Sequence, residues 1–249
     1  MISEAPHTTI QTLLGLQYPP VAITFLESLH SIPAHLPAWN GPAVAAGCVF
    51  WKKAQEGEVF YTVPADHYNC AVGAYTHNIA LPTERAAELE QTIGFMVASH
   101  YIALTEVPGI PTLPKAPAAI VYGPVDKISE MGNLVPDLIV LAAKPAQAML
   151  IYEAAIQAGA SNAVMSVLGR PGCAILPLVA NGHVAALSLG CKGNRTFTGL
   201  PDEEMYLAVS GDKWQAISHQ LLQVQKANQT LGNYYADRKA AFDTPSVPV

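Results

Sequence analysis

The chain has 249 residues, of which 51% are hydrophobic and 13% charged, and this balance excludes an intrinsically disordered protein. Its net charge is −6 and its 13 Lys and Arg side chains are scattered, so no basic run indicates nucleic-acid binding or a polybasic membrane patch. The N-terminus lacks the pattern of a secretory signal, and no stretch of about 18 uninterrupted apolar residues occurs. We therefore expect a cytoplasmic protein that binds neither nucleic acid nor membrane.

The first half of the chain predicts helices that alternate with β-branched strands. A short helix with a threonine cap is followed by the run PPVAITF, which is typical of a buried strand. The Pro- and Gly-rich stretch 28–42 and the polar stretch 65–77 are predicted loops. The predicted helices cover residues 8–16, 43–56 and 82–101, and the predicted strands cover residues 19–25 and 58–64.

The second half continues the alternation. Its clearest helix is KPAQAMLIYEAAIQAG, which has Pro145 in the first turn and Gly159 at the end. The predicted strands cover residues 118–124, 137–143 and 183–190, and the predicted helices cover residues 144–159 and 213–240. The alternation predicts an α/β (mixed α+β) fold, and the absence of a linker-like composition predicts a single domain over residues 1–249.

A weak internal echo relates residues 15–110 to residues 118–210. In each part a Gly-Cys pair is followed by a glycine-bearing turn, a strand and a second cysteine. The two cysteines of each part lie 22 and 18 residues apart. A duplication would give two pseudo-symmetric halves that share one core, with two cysteine pairs about a common axis.

The four cysteines are the main candidates for a site. They are Cys48, Cys70, Cys173 and Cys191. In a reducing cytoplasm they are ligands, catalytic groups or buried core residues rather than disulfides. Three of them follow glycine, which lets the backbone approach a metal and supplies amide donors to sulfur. Four thiolates suit an iron–sulfur cluster or a zinc ion, although no C-x-x-C spacing is present.

Polar residues close to Cys70 are candidates for catalysis and binding. His67 and Asp66 are candidate catalytic residues, since an imidazole beside a thiol can lower the thiol pKa or donate a proton. The alternative is a loop whose turns are closed by Asp66 and Asn69. His77 and Asn69 are further candidates for substrate binding, and Trp51 lies on the same helical face as Cys48, where it would line a pocket or pack in the core.

Two arginines lie close to the other cysteines. Arg195 follows Cys191 in the run CKGNR, directly after a predicted strand, and Arg170 lies three residues before Cys173. Such cationic, glycine-bearing turns can bind an anion or stabilise the charge of a cluster, and they can equally form surface salt bridges. Hydrolase, zincin and dinucleotide motifs are absent from the sequence.

The sequence resembles the family called domain of unknown function 169, a group of uncharacterised archaeal and bacterial cysteine-rich proteins. The resemblance rests on six motifs that span most of the chain: LGLQYPPVAI, GCVFWKKA, FYTVPADHYNCAVGAYTH, KPAQAM, GRPGCA and SLGCKGNR. It implies that all four cysteines belong to recurring motifs of the family, which suits a shared site. It implies no activity.

Three hypotheses follow from these residues. In the first, the four thiolates bind an iron–sulfur cluster, or alternatively zinc, and the protein serves redox or sulfur chemistry with a small molecule or an electron-transfer partner. In the second, a metal-free protein binds a small anionic ligand and its cysteines are structural. In the third, Cys70 and His67 form a thiol enzyme, which requires a lowered Cys70 pKa.

Overall fold

The computed structural model describes residues 5–87, 111–159, 166–168 and 171–243. Within these ranges the strands are β1 (Val21–Leu26), β2 (Phe60–Thr62), β3 (Ala119–Pro124), β4 (Leu138–Ala143), β5 (Ser166–Leu168), β6 (Ala185–Ser188) and β7 (Met205–Ser210). The α-helices are α1 (Ala5–Leu14), α2 (Cys48–Gln55), α3 (Ala71–Thr76), α4 (Pro145–Gln157), α5 (Ile175–Ala180), α6 (Lys192–Thr198) and α7 (Trp214–Asp243). Residues 83–87 are also helical, and the rest of the predicted helix 82–101 lies outside the described residues.

The strands form one sheet in the order β2-β3-β1-β4-β7-β6-β5. Neighbouring strands are antiparallel except for β5 and β6, which are parallel. Strands from both parts of the chain meet at the centre, where β1 pairs with β4 and β4 pairs with β7. The prediction of a mixed α+β fold is confirmed, whereas the pseudo-symmetry of the two halves stays a prediction.

Both faces of the sheet are buried because helices cover each of them. Ile139 and Leu207 point to the face covered by α1, α4 and the first turns of α7. Their neighbours Val140 and Ala208 point to the opposite face, which α2 and α5 cover. Strands buried on both sides favour apolar residues at nearly every position, which explains the runs VAITFL and LIVLAA. The cysteine site lies on the α2–α5 side.

Several elements differ from the sequence-based prediction. Helix α3 lies inside the stretch 65–77 that is predicted as a loop, and α6 occupies the predicted turn after Cys191. The prediction also lacks α5 and the strands β5 and β7. Helices of six or seven residues are too short to be stable alone, so packing against the rest of the fold stabilises them. Helix α5 packs against strands of the sheet, and α6 packs against α2. None of the described helices has the length and hydropathy required to cross a membrane.

Candidate functional site

All four cysteines line one cavity of about 420 Å³ on the α2–α5 side of the sheet. Each of them stands at or just before the first turn of a helix. Cys48 is the first residue of α2, and Cys70 and Cys191 directly precede α3 and α6. Cys173 lies in the short 3-10 turn Gly172–Ala174 that leads into α5. Four segments that are remote in sequence therefore bring their thiols to the same cavity.

The helix starts also bring backbone donors to sulfur. The first N–H groups of a helix have no acceptor within the helix and can donate elsewhere. The Cys70 thiol accepts hydrogen bonds from the N–H groups of Gly47 and Gly73, which lower its pKa against the larger effect of burial. Gly73 must be small, because a Cβ at this position would lie 2.7 Å from Cys70 Sγ.

Burial dominates the electrostatics of the thiols. It raises the pKa of Cys48 to about 12, and it raises the pKa of Cys70 and, more strongly, that of Cys173. A smaller contribution in the same direction comes from charge repulsion between these cysteines and Cys191, which shows that the four thiols are electrostatic neighbours. At neutral pH in the absence of a bound cation, these three thiols are therefore protonated.

Asn194 of α6 connects two of the cysteines. Its Oδ1 accepts a hydrogen bond from the Cys191 backbone N–H at 2.9 Å. Its side chain also hydrogen-bonds the Cys48 thiol, which lowers the Cys48 pKa in opposition to burial. The side chain is buried, with 1% of its surface exposed. Sequence reasoning missed this residue, because its position in the run CKGNR gives no signal that its amide faces a cysteine from another helix.

Two buried histidines lie on the α3 side of the cavity. His77 lines the cavity, and its Nδ1–H donates to the Gly73 carbonyl at 2.7 Å. Its Nε2 is buried and has no hydrogen-bond partner among the described residues. The His67 ring lies 5.4 Å away, and its Nε2 is hydrogen-bonded with Thr62 Oγ1 at 2.9 Å. Burial lowers the pKa of His77 to about 4 and that of His67 well below its ordinary value, so both rings are neutral.

The remaining sequence candidates lie in different places relative to the cavity. Trp51 and Asn69 line the cavity together with the cysteines, and Trp51 is also a core residue that contacts Tyr206 edge to face at 5.1 Å. Asp66 does not line the cavity: its carboxylate accepts the Val63 N–H at 2.8 Å and so closes a turn. Arg170 lies outside the described residues.

Arg195 lies in the wall behind the site rather than in the cavity lining. Its guanidinium donates to the carbonyls of Leu189 at 2.8 Å and Leu200 at 3.3 Å, and also to that of Pro201. It forms an ion pair with the exposed Asp202 as well. These contacts join the end of β6 to the loop after α6. The cationic side chains among the described lining residues are instead Arg85 and Lys192, and these residues include no carboxylate.

The environment of Cys70 does not favour the thiol-enzyme hypothesis. A nucleophilic cysteine needs a lowered pKa. Burial instead raises the pKa of Cys70, and the neutral His67 supplies no positive charge close to it. The geometry therefore gives Cys70 the character of a ligand or a structural thiol.

The four cysteines line the cavity without grouping about one point in the part of the chain that the structure describes. Within the described ranges, no three or more His, Cys, Asp and Glu side chains form a group that could hold a metal ion. A tetrahedral zinc site with Zn–S bonds of about 2.3 Å would hold its sulfurs about 3.8 Å apart. The arrangement of the described residues therefore does not match a preformed single-ion site.

The fold and the site together define an α+β protein with a buried, cysteine-lined cavity. The chain belongs to the family described as Uncharacterised ArCR, domain of unknown function 169, which matches residues 9–220. It is similar to an uncharacterised protein of Methanocaldococcus jannaschii, with 24% identity over 213 residues that cover 84% of this chain and 88% of that protein. No solved structure matches the chain.

Proposed function

We propose that the four cysteines hold one iron–sulfur cluster and that the protein serves redox or sulfur chemistry. The observation that carries this proposal is the convergence of Cys48, Cys70, Cys173 and Cys191 on one cavity. Four thiolates are the usual ligands of a cubic [4Fe–4S] cluster, in which each thiolate binds its own iron. Ligands of this kind are spaced about a volume rather than a point.

The size and lining of the cavity support a cluster over zinc. A space of about 420 Å³ is far more than one ion needs, and no described group is arranged about a single ion. Backbone N–H donors to Cys70 and the amide of Asn194 at Cys48 are the kind of hydrogen bonds that stabilise sulfur charge in clusters. Lys192 in the lining also favours a group of negative charge.

The proposal is tested by purifying the protein without oxygen and measuring iron, acid-labile sulfide and visible absorbance. We expect about four irons and four sulfides per chain, with the broad absorbance of a cluster. Each of the four Cys→Ser variants should lose most of the bound iron. Phe197→Leu is the matched control, since Phe197 is a half-exposed residue of the same lining without a ligand atom, and it should keep the iron. A colourless, iron-free protein after anaerobic reconstitution with iron and sulfide would refute the proposal.

A second candidate function is the binding of a small anionic ligand without a metal. It is supported by the cationic Lys192 in the lining and by the lack of a carboxylate among the described lining residues. Calorimetric titration of metal-free protein with inorganic phosphate and with acetate tests it. Saturable binding that is weakened by Lys192→Met, in a protein that takes up no iron, would favour this function over the cluster.

A further inference from the structure

Asn194 is a fully buried polar side chain with three separate contacts in the cysteine site. The first contact is within its own segment. Its Oδ1 accepts the Cys191 N–H at 2.9 Å, which fixes the backbone of Cys191 at the start of α6. A side-chain amide has one oxygen and one NH₂ group, so its two NH₂ protons remain for other partners.

The second contact is with Cys48 of α2, whose thiol is hydrogen-bonded to the Asn194 side chain. The NH₂ group is the donor to this sulfur, because the contact lowers the Cys48 pKa, as a donor to the thiolate does and an acceptor from the thiol does not. A donor stabilises a thiolate more than a thiol, and it does so strongly where water is excluded. Cys48 is such a site, since only 6% of its surface is exposed.

The third contact is with the segment that carries Cys173. A Cβ on Gly172 would lie 2.0 Å from Asn194 Oδ1 and 2.9 Å from its Cγ. The amide therefore packs directly against the backbone beside Cys173. The α6 backbone at Asn194 is itself held, because Thr198 Oγ1 donates to the Asn194 carbonyl at 2.6 Å and contacts Tyr206 Oη at 3.1 Å.

We infer that Asn194 is a positioning residue of the cysteine site, whose single amide fixes Cys191, donates to the Cys48 sulfur and sets the approach of the Cys173 segment. Asparagine suits this place because it combines an acceptor and a donor on a short, rigid group. For a bound cluster, which rests on the proposed function, a donor to a ligand sulfur stabilises the more negative, reduced form. Asn194 then raises the reduction potential.

The first test uses reduced, metal-free protein and does not depend on a cluster. In a ¹⁵N spectrum, one side-chain NH₂ proton of Asn194 should exchange slowly with solvent. Cys48→Ala, which removes the acceptor, should raise that exchange rate at least tenfold, whereas Cys70→Ala should leave it unchanged. A rate that is insensitive to Cys48→Ala in a folded protein would overturn the inference.

The second test measures the midpoint potential of the anaerobically loaded protein. Asn194→Asp keeps an oxygen for the Cys191 N–H but removes the donor to Cys48. We expect roughly a tenfold loss in the equilibrium constant for reduction, which is about 59 mV for one electron. Asn194→Ala should shift the potential in the same direction and supplies the measurement if the aspartate variant does not fold.

Ser218→Ala is the control for the potential. It removes a buried hydroxyl that donates to the Trp214 carbonyl at 2.7 Å in α7, on the opposite face of the sheet, so it should lower stability and leave the potential unchanged. Loaded Asn194 variants with the wild-type potential would overturn the inference. Wild-type protein that takes up no iron would instead refute the proposed function, while the exchange measurement would still decide the role of Asn194.

Discussion

The substitution Gly73→Ala has two opposing effects on the stability of the protein. Alanine in the interior of a helix is favoured over glycine by about 0.5–1 kcal/mol. The added Cβ would, however, lie 2.7 Å from Cys70 Sγ and 3.3 Å from Cys70 Cβ, whereas ordinary contacts need about 3.5–4.0 Å. The sulfur must therefore move by about 1 Å in a buried site, and overpacking of this kind costs about 1–3 kcal/mol. We expect a net loss of about 1 kcal/mol in the free energy of unfolding.

The displacement of Cys70 should affect loading more than stability. Metal–ligand distances tolerate about ±0.2 Å, so a 1 Å shift of one sulfur should lower the affinity of the site for the proposed cluster about 10–100-fold. Urea unfolding of the metal-free protein and iron content after anaerobic reconstitution measure the two effects. Gly232→Ala is the matched control. Gly232 is also helical, in α7, and no atom lies within 4 Å of its added Cβ.

Gly232→Ala should keep full iron loading and either leave stability unchanged or raise it by up to about 1 kcal/mol. A Gly73→Ala protein that is as stable as Gly232→Ala and binds as much iron as the wild type would show that the Cys70 sulfur is free to move. Its position at the cavity would then not be fixed, contrary to the expectation.

Three further predictions concern groups around the site. The pKa of His77 is lowered from 6.5 to about 4, so the unfolded chain binds a proton that the folded chain does not between these pH values. The free energy of unfolding of the metal-free protein should therefore fall on acidification through this window, by up to about 1.4 kcal/mol per pH unit. Urea titrations at several pH values measure this slope, and His77→Gln should reduce it. Arg195→Met should lower the free energy of unfolding by about 1–3 kcal/mol, because it leaves backbone carbonyls unpaired, and thermal or urea unfolding measures this loss. The folded variant should keep the iron bound after reconstitution. Loss of iron without loss of stability would contradict this structural role. Gly172→Ala should displace the Asn194 side chain and lower the midpoint potential of the loaded protein, as Asn194→Asp does. A wild-type potential in loaded Gly172→Ala protein would show that Asn194 keeps its contact with Cys48 despite the added methyl group.

The sequence predicts the strands at the centre of the sheet well. VAITFL, AIVYGP and LIVLAA are continuous apolar runs of strand length, and each forms a strand within two residues of the predicted bounds. Helix α4 also begins at Pro145, as the sequence predicts. Strand β7 (MYLAVS) is equally apolar but is missing from the prediction, although it pairs with β4 and β6 inside the sheet.

The site itself is only partly visible in the sequence. Recurring Gly-Cys pairs single out the cysteines, but their convergence depends on where four short helices begin, and helices as short as α3 and α6 form through tertiary packing. Two neighbours in the run CKGNR show the limit: Arg195 has the side chain that suggests anion binding, yet it donates to backbone carbonyls, whereas Asn194 contacts the cysteines. Nothing local distinguishes these roles.

Iron K-edge X-ray absorption of the anaerobically loaded protein shows whether Cys48, Cys70, Cys173 and Cys191 bind one iron–sulfur cluster, as we propose. We expect about four sulfur neighbours around each iron and a second shell of iron. Iron bound only to oxygen or nitrogen, or a sulfur shell without neighbouring iron that persists in all four Cys→Ser variants, would contradict it.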